Sequence, residues 1–290
     1  EFDLENFAEA RKRFLALADE GKEDAEEMRL AAALSAYHAK DWVTADREFS
    51  EALEADRGDP AAVRYYLGRI SESQKRWAEA VERYSQVPPS ERYWESQLRV
   101  ANALAQDKQM LQAVAHLRAL KPGNALERLS LAQTESALWR DAGENVKAFE
   151  ALDAALVVDS EDADLLYESA MLAERIDRMD EAEKRLRKVI ALQPKRAHAY
   201  NALGYSFADR NINLDEARTL IEKAHELAPD DAAILDSMGW IAFRQGRLED
   251  AAAYLKRAFD KFQDGEIAAH LGEVLWALGR KDEARGIWQT

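Results

Sequence analysis

Five histidines, fifty-five carboxylates and no cysteine bound the chemistry open to this 290-residue chain. The histidines are His38, His116, His198, His225 and His270. A helical zinc site needs two of them three or four residues apart on one face. No pair has that spacing, and no His-Glu-x-x-His run occurs. Without cysteine there is no thiolate nucleophile, no Cys-ligated metal and no disulfide. No Gly-x-Ser-x-Gly elbow presents a serine nucleophile. No Gly-x-Gly-x-x-Gly or Gly-x-x-x-x-Gly-Lys-Ser/Thr run offers backbone amides to a phosphate. At this density of acids paired carboxylates are unavoidable, so their spacing carries no catalytic information. The expectation is no enzyme, no metal and no cofactor. Binding chemistry is better represented. Asn201–Tyr205 and Asp236–Trp240 are i, i+4 pairs, which share one helix face.

Charge narrows the partners. The formal net charge is −15, and 47% of residues are apolar against 33% charged. Phosphate neutralisation needs a basic surface, so nucleic acid is disfavoured, and an anionic membrane surface equally so. The longest stretch free of Asp, Glu, Lys and Arg is Ala197–Ala208, 12 residues, against the roughly 20 of a transmembrane helix. The acidic run Glu23-Asp24-Ala25-Glu26-Glu27 reads as a solvated helix start, and Asp230-Asp231 as the cap of a helix beginning at Ala232. Glu1-Phe2 reads as a cloning scar on a piece of a longer chain.

The elements that must position these side chains announce themselves by repetition. An alanine column runs through Ala10, Ala45, Ala80, Ala113, Ala148, Ala182, Ala217, Ala251 and Ala284, with spacings of 33 to 35 residues. Four residues later stand Phe14, Phe49, Tyr84, Leu117, Leu152, Leu186, Ile221, Leu255 and Trp288. Seven later stand Leu17, Ala52, Val87, Leu120, Ala155, Val189, Ala224 and Ala258. Offsets of 0, 4 and 7 define one face of a helix. Twelve residues before the alanine lies a small residue, glycine at Gly68, Gly239 and Gly272 and, one residue further back, at Gly204. This marks a preceding helix that approaches closely. Gly143, Gly246 and Gly279 sit five before the alanine, at the turn. All six prolines fall between one helix pair and the next, and nothing reads as a strand.

This pattern resembles the tetratricopeptide repeat (TPR) family, most clearly over Ala199–Pro229, where Tyr200, Leu203, Gly204, Phe207, Ala217, Ile221, Ala224 and Pro229 match and one residue is inserted around Asn211–Asn213. The resemblance implies an all-α TPR solenoid, a right-handed superhelix of antiparallel helix pairs. A lone second helix would occupy 1–25, three pairs 26–128 and five pairs 129–290, in one continuous array. The pairs would begin near Glu26, Ala61, Trp94, Leu129, Ala163, Ala197, Ala232 and Gly265. The third pair is the least regular, so Lys121-Pro122-Gly123-Asn124 is where a joint is expected.

In such arrays the first helices line a concave groove. The family frame places Tyr65, Arg69, Tyr167, Met171, Asn201, Tyr205, Asp236, Trp240, Phe243, Arg244 and Trp276 on it. Aromatic residues and Arg dominate binding hot spots. The competing reading has them filling the inner curve and touching one another. Trp139 and Trp288 fall in core columns, Trp42 and Trp77 plug the space between helices, and Trp94 stays ambiguous. Asn102 and Asn201 occupy positions used by carboxylate clamps, but no matching lysines do, so a clamp for an acidic C-terminus is not expected.

Tyr200–Phe259 and Gly265–Trp288 resemble, more narrowly, the C-terminal repeats of Gram-negative envelope TPR lipoproteins, in particular the lipoprotein partner of a carboxyl-terminal processing protease. That resemblance implies an adaptor on the periplasmic face of the outer membrane. It would bind the protease and deliver peptidoglycan hydrolases to it, and its lipid anchor would lie outside this chain. The alternatives are a cytoplasmic co-chaperone or assembly factor, the TPR arm of a larger enzyme, and a structural outer-membrane assembly component.

Overall fold

The computed structural model describes residues 4–19, 24–158 and 160–289. Glu1, Phe2, Glu23 and Thr290 lie outside the described residues. Among those described there are seventeen helices and no strand. A lone α1 (Leu4–Asp19) precedes α2 (Ala25–His38) and α3 (Trp42–Glu54), then α4 (Pro60–Ser73) and α5 (Trp77–Ser85), α6 (Tyr93–Gln106) and α7 (Met110–Ala119), and α8 (Ala125–Asp141). These belong to one compact unit, Glu1–Glu144. The second unit, Asn145–Thr290, holds α9 (Asn145–Val158), then α10 (Ala163–Arg175) and α11 (Met179–Leu192), α12 (Ala197–Asp209) and α13 (Leu214–Leu227), α14 (Ala232–Arg244) and α15 (Leu248–Lys261), and α16 (Gly265–Ala277) and α17 (Lys281–Ile287). The division falls one helix beyond the joint expected at Lys121–Asn124.

The columns account for the packing. Alanines 45, 80, 113, 148, 182, 217, 251 and 284 are all buried, as are Phe49, Tyr84, Leu117, Leu152, Leu186, Ile221 and Leu255 four residues on. Where the small residue of the first helix is glycine, it is where that large residue seats. A Cβ placed on Gly68 would meet the Tyr84 ring at 2.5 Å, one on Gly204 the Ile221 Cγ1 at 2.6 Å, and one on Gly239 the Leu255 Cγ at 2.5 Å. In these three pairs a knob from the second helix sits in a notch of the first, and glycine makes the notch.

The turn inside each pair has one geometry. Lys40, Lys75, Lys108, Gly143, Asp177, Asn211, Gly246 and Gly279 all have positive φ, from 55° to 81°. Each closes its first helix with the same two bonds: Lys75 N–H donates to Glu72 O at 2.9 Å, and Arg76 N–H to Ser71 O at 2.8 Å. This is a Schellman motif, and its left-handed residue is cheapest as glycine. The inserted residue of the sixth pair is absorbed by a second left-handed residue, Asn213, with φ 46°. Glycine in place of Lys75 or Lys108 should raise stability by about 1 kcal/mol, and alanine in place of Gly246 should lower it by about the same. Urea denaturation checks this, and a loss on Lys75→Gly would count against the turn geometry.

Some of the acidic residues cap helices. Asp59, Asp162, Asp231 and Asp264 accept backbone N–H bonds at the starts of α4, α10, α14 and α16, each offsetting an orphan donor. Pro60 opens α4, where a missing N–H is harmless. One helix departs from expectation. The first helix of the fourth pair starts at Ala125, a turn before Leu129. Asn124 Oδ1 accepts from Glu127 N–H at 2.9 Å while the Glu127 carboxylate takes the Gly123 N–H at 2.6 Å, a reciprocal cap that starts the helix early.

Two core assignments change at the ends. Leu17, expected to anchor the lone helix, is 45% exposed, and Ala18 is buried instead. Trp288, expected in the core, is 48% exposed, although its ring still lies over Gly272, where a Cβ would meet Nε1 at 2.0 Å. Interior knobs are covered by a following pair. Among the described residues no further helix covers Trp288. Trp139 is buried as its column implies, and Trp42 and Trp77 pack half-buried against the apolar clusters of their pairs. Trp94 donates from Nε1 to Ser130 Oγ at 2.8 Å, a structural bond between α6 and α8.

Candidate partner-binding site

The eleven expected groove residues divide between the two units. In Glu1–Glu144, Tyr65 and Arg69 sit one turn apart on α4. Tyr65 is buried rather than presented to solvent. Its hydroxyl donates to Glu95 Oε1 at 2.7 Å and accepts from Arg69 Nη1 at 3.1 Å. Arg92 lies 4.9 Å over its ring. Arg99 bridges Glu95 and Glu72, both at 2.9 Å, and Tyr84 donates to Glu72 at 2.6 Å. Burial pushes the Glu95 carboxyl up, but the Tyr65 hydroxyl and the Arg99 guanidinium outweigh it and hold it below the usual range. This network ties α4 to α6. It does so with charges already neutralised among themselves.

In Asn145–Thr290, helices α10, α12 and α14 bring Tyr167, Met171, Tyr205, Trp240 and Phe243 onto one apolar cluster. Tyr167, Met171, Tyr205 and Phe243 are half-buried on its surface, with the Arg196 guanidinium 4.4 Å over the Tyr167 ring. Trp240 and Asp236 depart from expectation. Each is 5% exposed, so neither forms an open wall. Both turn toward His270 of α16. Its Nδ1 lies 2.9 Å from each Asp236 carboxylate oxygen, and its ring stacks on Trp240 at 4.1 Å with planes 20° apart. Trp240 also meets Phe243 at 5.2 Å. The Arg244 guanidinium lies 5.0 Å over the Trp240 ring while donating to Ala208 O at 3.0 Å and to Asp209 O. It therefore ties α14 to the end of α12.

Above this pair Tyr205 reaches from α12 to α16, donating to Glu266 Oε1 at 2.6 Å. Burial and the neighbouring Glu266 charge hold the Tyr205 phenol well above its ordinary range. Burial likewise holds the Asp236 carboxyl above its usual range, against the pull of His270, and holds Glu174 of α10 up. Asn201 is half-buried beside Tyr205's turn of α12, with its Oδ1 lacking a hydrogen-bond partner among the described residues, as does Trp240 Nε1. Trp276 stands apart. It is 41% exposed, 5.9 Å from Trp288, with Lys281 Nζ 5.0 Å over its ring.

His270, Glu266 and Glu95 are the partners the sequence reading missed. The signal was present. Asp236 and His270 are 34 residues apart, one repeat length, so they occupy neighbouring positions on successive first helices. Screening histidines against one another at helical spacing could not find it. Among the described residues no three His, Asp or Glu side chains group as a metal site. None of the described helices is long and apolar enough to cross a membrane.

Known proteins carry the same architecture. A TPR repeat-containing protein of Pseudomonas aeruginosa is 45% identical over 215 residues, 73% of this chain and 36% of that protein. One of Treponema pallidum is 34% identical over 107 residues, 36% of this chain and 13% of that protein. The chain thus spans about a third or less of the curated relatives it matches. The crystal structure of a tetratricopeptide repeat protein from Parabacteroides merdae superposes with a TM-score of 0.60 at 15% identity, covering 80% of this chain and 92% of that one, a likeness of fold alone. The tetratricopeptide repeat family model matches residues 44–90, 167–232 and 237–289, more than half of the chain. On that match, and on the repeated helix pairs of each unit, the chain belongs to the tetratricopeptide repeat family.

Proposed function

We propose that the chain is a non-enzymatic scaffold that binds a segment of another protein on the first-helix face of its C-terminal unit. The observation that carries this reading is the gathering of Tyr167, Met171, Tyr205 and Phe243, each half-buried, on one cluster. Partly exposed aromatic and Met side chains held by a rigid core supply contact area at low entropic cost. Tyr65 and Arg69 support their own joint rather than this face.

The finer reading makes the chain part of an envelope lipoprotein adaptor that binds a carboxyl-terminal processing protease and brings peptidoglycan hydrolases to it. Its support is the resemblance of Tyr200–Phe259 and Gly265–Trp288 to the repeats of such lipoproteins. Tethering enzyme and substrate on one scaffold gives effective concentrations on the order of mM without any catalytic group. The net charge of −15 favours basic clients.

Affinity capture from envelope extract tests both levels. The wild-type chain should retain the protease, and Tyr167→Ala combined with Met171→Ala should weaken retention by roughly ten-fold or more without loss of helical circular dichroism. Retention of the same proteins at the same level by the folded variant would remove this face as the site. A wild-type chain that captures no protease would remove the adaptor role.

A further inference from the structure

We propose that His270 is a proton-controlled clasp between the last two helix pairs: protonated, it locks α16 onto α14, and on losing its proton it releases α16 to open locally. This concerns the joint itself and stands whichever partner the scaffold binds.

The geometry is that of a clasp. Asp236 and His270 are both buried, and they join α14 to α16 through two 2.9 Å contacts from a single ring nitrogen. The imidazole lies flat on Trp240. Tyr205, its ring 6.1 Å from His270, closes the assembly through Glu266. The charged and titratable groups acting on His270 are Asp236 on α14, Asp209 and Tyr205 on α12, and Glu266 on α16 itself. Arg244 reaches the same stack from over the Trp240 ring.

Protonation changes what this arrangement is worth. With the imidazolium in place the Nδ1–H bond is charge-assisted, the buried Asp236 carboxylate has its counter-charge, and Trp240 faces a cation. With a neutral ring, Asp236 is left a buried carboxylate near Glu266 and Asp209 with no compensating charge. Burial disfavours the charged imidazole, but the Asp236 bond and the surrounding carboxylates outweigh it and raise the His270 protonation midpoint. A raised midpoint stabilises the fold fully below the unfolded value of about 6.5 and is lost as pH rises through the folded one. Asp236 follows the same sign, because burial favours its neutral form and what that contributes is lost as pH rises above its unfolded value. In a repeat array such a loss is felt at one joint, where each pair contacts only its neighbours.

Amide hydrogen exchange on the full chain reads the clasp directly, with α8 as internal control. After correction for intrinsic rates, protection of the α16 amides should fall several-fold between pH 6 and pH 8, across the window in which a raised midpoint loses its proton. H270Q should show no such pH dependence. D236N keeps the shape and removes the charge, so it tests the same point should H270Q misfold. It should abolish the dependence and lower the His270 midpoint read by ring-proton NMR. The proposal is overturned if the wild-type His270 midpoint lies at or below about 6.5. Unchanged pH dependence of α16 protection in H270Q or D236N would overturn it equally.

Discussion

Replacing Trp240 with alanine should cost the fold about 3–5 kcal/mol. Its indole is almost wholly enclosed, sandwiched among His270, Phe243 and the Arg244 guanidinium. Truncation opens a cavity where α12, α14 and α16 meet. It also removes the surface on which the buried Asp236–His270 pair is packed, exposing that pair to water or leaving it poorly held. Trp276, the other tryptophan expected on the groove, is its control. It is largely open to solvent, so Trp276→Ala should cost less than about 1 kcal/mol. Urea denaturation followed by circular dichroism separates the two. Because repeat arrays can unfold in parts, the loss should concentrate in a transition of the C-terminal pairs. A loss under about 1 kcal/mol together with failed partner capture would return Trp240 to the binding wall.

Valine in place of Gly204 should cost about 3 kcal/mol, and alanine about 1. The first added atom would stand 2.6 Å from Ile221 Cγ1, 2.9 Å from the Ala217 carbonyl and 3.2 Å from the Ile221 nitrogen. Two of those three are backbone, so no side-chain rotation relieves the clash and α13 must move off α12. Ala33, Ala101 and Ala170 hold the equivalent notch in other pairs and are fully buried there. A methyl is thus compatible with the fold where the partner helix has been set to receive it. Thermal melts of both variants provide the check. An undisturbed Tm for Gly204→Val would show that the pair spacing is soft and that the notch does not set it.

Expectation and structure agree most closely where one residue type answers one geometric demand. Ala217, Ile221 and Gly204 recur because a knob, a close backbone and a notch are needed in every pair, and the period repeats that demand along the chain. The left-handed turn was visible at Gly143, Gly246 and Gly279. It was hidden at Lys40, Lys75 and Lys108, where the same φ is forced on residues that do not advertise it, and only weakly signalled at Asp177 and Asn211. The early start of α8 escaped notice because Asn124 and Glu127 cap it with a local bond that periodicity does not register. At the candidate site, helical geometry places Asn201 with Tyr205 and Asp236 with Trp240 on one face each. It could not say which pair would be covered.

The sequence by itself determined the helices and most of the core columns, because each follows from local demands that recur about every 34 residues along the chain. Only the tertiary structure decided which aromatic residues face a partner and which face their neighbours. A groove position on one first helix is open or closed according to what the next helix carries. His270 stands one repeat beyond Asp236 and closes over Trp240, while Trp276 and Trp288 have no such neighbour among the described residues. Burial at that face is a property of adjacent repeats, and a single helix period carries no record of it.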